Sequence, residues 1–176
     1  MTHLRTLNSL ANTARTGLAS ALVLAALISP AVASAAEPHS GWSWNFTPVL
    51  ILPKGDHHLG GGVDPEVQYT LDQGLVRWSA GFRVGGYYAY DLFGVTTMPT
   101  LRASVPLGPV EPYVSFGLGY GWLPKAGERG VATLSRLGVI FHFSDRLAVG
   151  VEGSLQNIYG TDFRFPSLGS MVSFDL

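Results

Sequence analysis

His142 stands two residues before Ser144. An imidazole so placed can take a proton from a serine hydroxyl and make it a nucleophile for acyl transfer. Asp145 and Arg146 follow, however, and Ser-Asp-Arg is also turn composition, since short polar side chains hydrogen-bond the backbone of a reversal. The turn is the expected reading, with no catalytic residue. Asp56, His57 and His58, with Asp64 nearby, have the donor types of a divalent-ion site, but adjacent histidines beside Gly60-Gly61-Gly62 also suit a solvated loop. Those glycines lack a following Lys-Ser/Thr, so they do not form a phosphate cradle. There is no cysteine, which excludes disulfides and thiolate metal sites. No metal or cofactor is expected. The remaining charges of interest are isolated: Glu66, Arg77, Arg83, Arg102, Arg136, His142, Glu152 and Asp175, in a chain only 13% charged. Their role depends on the elements that carry them.

The first 36 residues read as an address. Arg5 and Arg15 precede any acidic residue, and Leu18 to Ile28 is an apolar run of 11 residues. As a helix it rises about 17 Å, too short for a hydrocarbon core of about 30 Å. Pro30 and the small residues Ala33-Ser34-Ala35 follow, giving a cleavable export signal ending at Ala35 or Ala36. The alternative is an uncleaved anchor helix. Two segments are therefore expected, a signal over 1–36 and one domain over 37–176. A net charge of −1 gives no basic footprint for nucleic acid.

After Gly41 the chain alternates with period two, in segments of about ten residues, the length a tilted strand needs to cross a bilayer. Tyr113 to Trp122 is the clearest: Val114, Phe116, Leu118, Tyr120 and Trp122 share one face, and Tyr113, Ser115, Gly117, Gly119 and Gly121 the other. Val76–Gly85, Leu147–Gln156 and Leu168–Leu176 repeat the pattern, and Trp42–Leu52, Pro65–Leu71, Thr96–Val105 and Ser135–Phe143 show it more weakly. Eight strands fit best, against seven or nine. Pro48, Pro65 and Pro99 each remove a ladder donor, so those strands should be bulged or locally unpaired there.

Which face is wet decides the class. A soluble barrel such as a lipocalin would carry Lys, Glu and Thr outside. Here the polar face is mostly Gly and Ser, and both lysines, Lys54 and Lys125, fall between segments. The other face is too bulky for an eight-stranded interior, which is only just wide enough for side chains. Small residues should then lie inside and large apolar ones in lipid, with the sheet closed because an open edge would strand backbone groups in hydrocarbon. The expected class is all-β: a closed, antiparallel, up-and-down transmembrane barrel. Connections at Asp72–Gly74, Pro106–Pro112 and Ser144–Arg146 should be short and periplasmic, and those at Pro53–Gly62, Gly86–Gly94, Leu123–Gly130 and Asn157–Pro166 longer and outward. Tyr87, Tyr88, Tyr120, Trp122, Tyr159 and Phe163 should form the outer aromatic belt, and Trp42, Trp78, Phe143 and Phe174 the inner one.

The run Gly108-Pro109-Val110-Glu111-Pro112-Tyr113-Val114-Ser115-Phe116-Gly117-Leu118-Gly119-Tyr120-Gly121 resembles the small outer-membrane barrels of the OmpA, OmpX and OmpW type. Phe143 to Glu152 resembles their penultimate turn and strand, so the likeness spans about residues 41 to 176. It implies a monomer in the outer membrane of a Gram-negative cell envelope, among lipid and lipopolysaccharide. It also implies insertion by the barrel-assembly machinery, which reads a final strand ending in an aromatic. Here Leu176 is last, with Phe174 two before it on the same face. The pair His142 and Ser144 resembles that of the barrel-type lipid A deacylases, but Asp145 replaces the Asn that follows their serine, and lipid A lies at the other end of the strands. The expected function is non-enzymatic, structural or in surface contact, the alternatives being a deacylase or a narrow pore. The inward charges should form a plug of paired groups, with Glu152 on Arg136 or Arg102, since unpaired buried charge is costly.

Overall fold

The computed structural model describes residues 40–52 and 58–176, so the expected export signal lies outside the described residues. Eight strands follow in order: β1 Gly41–Ile51, β2 Gly60–Asp72, β3 Arg77–Ala89, β4 Leu92–Ser104, β5 Val110–Leu123, β6 Glu128–His142, β7 Leu147–Ile158 and β8 Arg164–Asp175. Each pairs antiparallel with its sequence neighbour, and β1 pairs with β8, closing the barrel. Partners followed once around run from Gly41 through Thr70, Ser79, Arg102, Ser115, Arg136, Ser154 and Ser167 to Ile51, a stagger of ten residues. Strand number and stagger together fix the bore at a width that side chains alone can fill.

The even strand count puts the start of β1 and the end of β8 at one end, called here the near end. The far end departs from the sequence expectation. β2 begins at Gly60 rather than Pro65, β6 at Glu128 rather than Ser135, and β3 and β4 continue to a two-residue turn, Tyr90-Asp91. The far connections after the first are Tyr90–Asp91, Pro124–Gly127 and Tyr159–Phe163, no longer than the near ones, Gln73–Val76, Val105–Pro109 and Phe143–Arg146. Loop length therefore gives no orientation. The glycines that suggested loops are strand positions where a neighbour takes the space of a side chain. A Cβ on Gly94 would lie 2.8 Å from Phe163, and one on Gly62 would lie 2.6 Å from Tyr87.

Each of the three mid-strand prolines suspends pairing on one side without shifting register. The β1–β8 ladder skips Thr47 and Pro48, the β2–β3 ladder skips Asp64 and Pro65, and the β4–β5 ladder skips Met98 and Pro99. Local unpairing is the outcome; bulging is not.

The outside is apolar, with Trp44, Phe82, Leu101, Phe116, Leu137 and Val151 all exposed at mid-strand. Trp42 and Tyr69 pair edge-on near one rim, their ring centroids 5.2 Å apart. Tyr88, Tyr120, Trp122 and Tyr159 are exposed toward the far end, and Trp42, Trp78, Phe143 and Phe174 toward the near end. Tyr87 and Phe163 do not join the far belt: both are buried inside the barrel. They belong to an apolar cluster that fills the far half, with Met98, Leu123, Ile158 and Phe165 among its members. The expectation that large apolar side chains lie only outside is thus corrected. Glycines make the room: Gly117 and Gly119 face Met98 and Gly121 faces Ile158.

Both residues of the β3–β4 turn have positive φ, 55° at Tyr90 and 61° at Asp91. That is the geometry of a type I′ hairpin, usually given to Asn and Gly. Tyr90 also packs on the interior apolar cluster, whereas Asp91 is exposed. Asp91→Val should therefore lower barrel stability by about 1–2 kcal/mol, and Asp91→Gly should not lower it. Unfolding midpoints of the two variants in detergent provide the check.

Candidate functional site

The inward residues of all eight strands meet in the lumen, in tiers set by the register. At the near mouth, Arg77 Nε donates to Asp72 at 2.7 Å and its Nη1 to Glu111 at 2.8 Å. Glu111 also accepts from Ser104, and its Oε2 lies 2.9 Å from His142 Nε2. A cavity of about 120 Å³ opens here, lined by Ser43, Gln68, Arg77, Glu111, His142 and Asp175 among others. Asp175 sits on the rim and is exposed, outside the buried network where the sequence placed it.

One tier deeper, Glu66 accepts from Arg136 Nη2 at 2.7 Å and from Thr100, and lies 3.6 Å from Arg102. Glu152 lies 3.7 Å from Arg136 and accepts from the Tyr113 hydroxyl. Arg102 stacks 4.5 Å above the Tyr113 ring, a cation–π contact that leaves its edge free for hydrogen bonds. Above this, Asp64 accepts from Arg83 and from the Tyr87 hydroxyl, whose oxygen accepts a second Arg83 hydrogen bond at 2.8 Å. The apolar cluster lies beyond.

The charges differ between tiers. In the depth, Arg83, Arg102 and Arg136 face Asp64, Glu66 and Glu152, all buried, and the count balances. At the mouth, Arg77 pairs with Asp72 and Glu111, His142 bonds Glu111, and Asp175 lines the same cavity, so among these groups three carboxylates stand to one guanidinium. Burying charge is tolerable only when it is paired, and each charge of the deep tier has at least one partner of opposite sign.

The structure thus gathers Glu66, Arg102, Arg136 and Glu152 into one network, holds Arg83 with Asp64 beside it, and places Arg77, His142 and Asp175 at the entrance. Glu111, Asp64, Tyr87, Tyr113 and Thr100 complete the lumen's polar groups and were not among the inward charges expected. Parity carried the signal for several: Glu111 shares its face with Tyr113 and Ser115, and Asp64 with Glu66. Asp64 had been grouped with the histidines of a loop. It is instead a buried β2 residue held by Arg83 and Tyr87, so the ion site loses that donor. Asp56 and His57 lie outside the described residues. Among the described residues no three metal-ligating side chains gather.

His142 and Ser144 are engaged separately. The imidazole is held by Glu111, while Ser144 Oγ accepts from the backbone N–H of Arg146 at 3.3 Å and of Leu147 at 3.1 Å. The serine caps the β6–β7 turn.

No protein-family model matches the sequence, and neither does any curated protein. Solved structures do. Neisserial surface protein A superposes with a TM-score of 0.54 at 13% identity, covering 78% of this chain and 98% of that one. The chain has the fold of the eight-stranded outer-membrane β-barrels. The N-terminal β-barrel domain of Pseudomonas aeruginosa OprF gives 0.53 at 15% identity, over 78% of this chain and all of that one. The outer-membrane enzyme PagL gives 0.54 at 10% identity, over 75% and 99%. A surface protein and an enzyme share this barrel, so the fold does not choose between those roles.

Proposed function

We propose that the chain is an integral outer-membrane barrel without catalytic activity, serving a structural role and meeting its surroundings through its far rim. The supporting observation is the sidedness of the wall: bulky apolar residues exposed outside, paired charges and an apolar cluster within. Such a surface is stable in hydrocarbon and insoluble in water. The near end, where Ser40 and Leu176 lie, would face the periplasm. Phe174, exposed on β8, would serve the assembly machinery during insertion. At the far rim, Lys125, Arg129 and Arg164 are exposed together with Asp91, Glu128 and Asp162, near Trp122 and Tyr159, a mixed-charge rim suited to the polar headgroups of lipopolysaccharide. The connections there are short, so protein contact at the rim would be small in area.

The folded chain should run faster than the boiled chain on a detergent gel and should float with lipid vesicles. Incubated with lipid A or phospholipid it should release no fatty acid, and Ser144→Ala should cost about 1 kcal/mol of stability through the lost turn bonds, with no other effect. A compact monomer that dissolves without detergent would overturn the membrane reading. Fatty-acid release abolished by Ser144→Ala would overturn the non-enzymatic one.

A further inference from the structure

The inward row of β1 changes character along its length. Ser43, Asn45 and Thr47 are buried and polar, and Val49 and Ile51 are buried and apolar. The polar three have unpartnered atoms: Ser43 Oγ, both amide atoms of Asn45, and Thr47 Oγ1. Across from them Gln68 Oε1, Arg102 Nε, Arg136 Nε, Glu152 Oε1 and Arg83 Nε and Nη1 are also unpartnered. Buried donors and acceptors in a stable fold are satisfied, and those that no protein group reaches are satisfied by water. The deep tier is already neutral, with Arg83, Arg102 and Arg136 against Asp64, Glu66 and Glu152, so what it needs is a neutral dipole rather than an ion. Ser43, Gln68 and Arg102 also line the near-end cavity, which joins this file of groups to the outside. From Ser43 to Thr47 the file climbs about 13 Å at the rise of an extended strand.

We propose that the lumen is a blind shaft of bound water, open at the near end, running along β1 to Thr47, and stopped by a single apolar seal. The seal is the cluster around Ile51, Leu123, Ile158, Phe163 and Phe165, each fully buried. The polar groups at its boundary are already engaged: the Tyr87 hydroxyl is turned back to Asp64 and Arg83, and the buried Gln156 amide donates to Thr96 at 3.2 Å. An apolar constriction of this kind excludes ions by staying dry. The barrel is then a latent channel, and the acidic mouth formed by Asp72, Glu111 and Asp175 makes the conduit behind the seal select for cations.

The chain has no cysteine, so single-cysteine probes report without background. Silver ion, a thiol-reactive monovalent cation, is applied to the folded barrel in detergent carrying Ser43→Cys, Asn45→Cys, Thr47→Cys or Ile51→Cys. The first three should be titrated in the folded state, and Ile51→Cys only after unfolding. Asn45→Cys and Thr47→Cys as inert as Ile51→Cys would overturn the hydrated shaft, and a reactive Ile51→Cys would overturn the seal. In planar bilayers the parent should be silent, whereas Phe163→Ala/Phe165→Ala should give cation-selective openings. A folded, inserted double variant that carries no current would overturn the claim of a single seal. The thiol map needs no bilayer, so a parent chain that fails to float with lipid vesicles would count against the membrane placement on which the channel rests and leave the shaft to be decided by silver.

Discussion

Replacing Glu66 by Ala should lower the unfolding free energy of the folded barrel by about 3–5 kcal/mol, the cost of breaking a buried ion network from one side. Glu66 is the acceptor shared by Arg136 at 2.7 Å, Thr100 and the more distant Arg102. Its loss leaves three guanidinium groups, Arg83, Arg102 and Arg136, facing two carboxylates, Asp64 and Glu152, all buried. Glu66→Gln keeps the shape and loses the charge, so it should fall almost as far. Glu152→Ala should also lower the midpoint, but less, because its nearest arginine contact is 3.7 Å. The temperature or urea concentration at which the folded band gives way to the unfolded band on a detergent gel reads all three. An unchanged midpoint in Glu66→Ala would mean that the network does not hold the strands together.

Phe165→Ala is expected to cost about 3–5 kcal/mol, as truncation of a fully buried aromatic does. Phe165 meets Phe163 edge-on at 5.1 Å and Tyr87 at 5.2 Å between ring centroids. The hole left between them lies in a bore where backbone cannot move inward, since the closed ladder holds it. The comparison that makes the result specific is Phe116→Ala, the same change at a side chain 61% exposed on the outer wall. It should cost far less. Equal losses at the two positions would contradict the inward and outward assignment itself.

The architecture was legible because period two is a local property. Val114, Phe116 and Leu118 against Ser115 and Gly117 establish a wall with two faces from a few consecutive residues, and the strand count follows from repeating that reading. The contents of the lumen were less legible, because filling is a property of the whole circuit. Phe163 and Phe165 follow a turn and precede any clear alternation, so nothing nearby marks them as inward. Met98 lies inside only because Gly117 and Gly119, far along the chain, leave it room. Glycine misled most. At Gly62 and Gly94 it read as a loop residue, but there it is a strand residue making way for Tyr87 and Phe163. The split between His142 and Ser144 was anticipated from turn chemistry, whereas the attachment of His142 to Glu111 needed the β5–β6 register that sets Glu111 beside Ile140.

The ten-residue stagger restricts how this molecule can change in length. Strand slope belongs to the circuit as a whole, so one residue inserted within any strand would turn every later side chain of that strand through the wall and misalign both seams. The one local remedy is a bulge that leaves the extra residue unpaired. Additions and deletions are absorbed most readily at the caps, such as Pro124–Gly127 and Tyr159–Phe163, where no seam runs. Descendants of this chain should therefore differ by replacement along the staves and by length at the hairpin tips, and a grafted epitope or tag belongs at those tips.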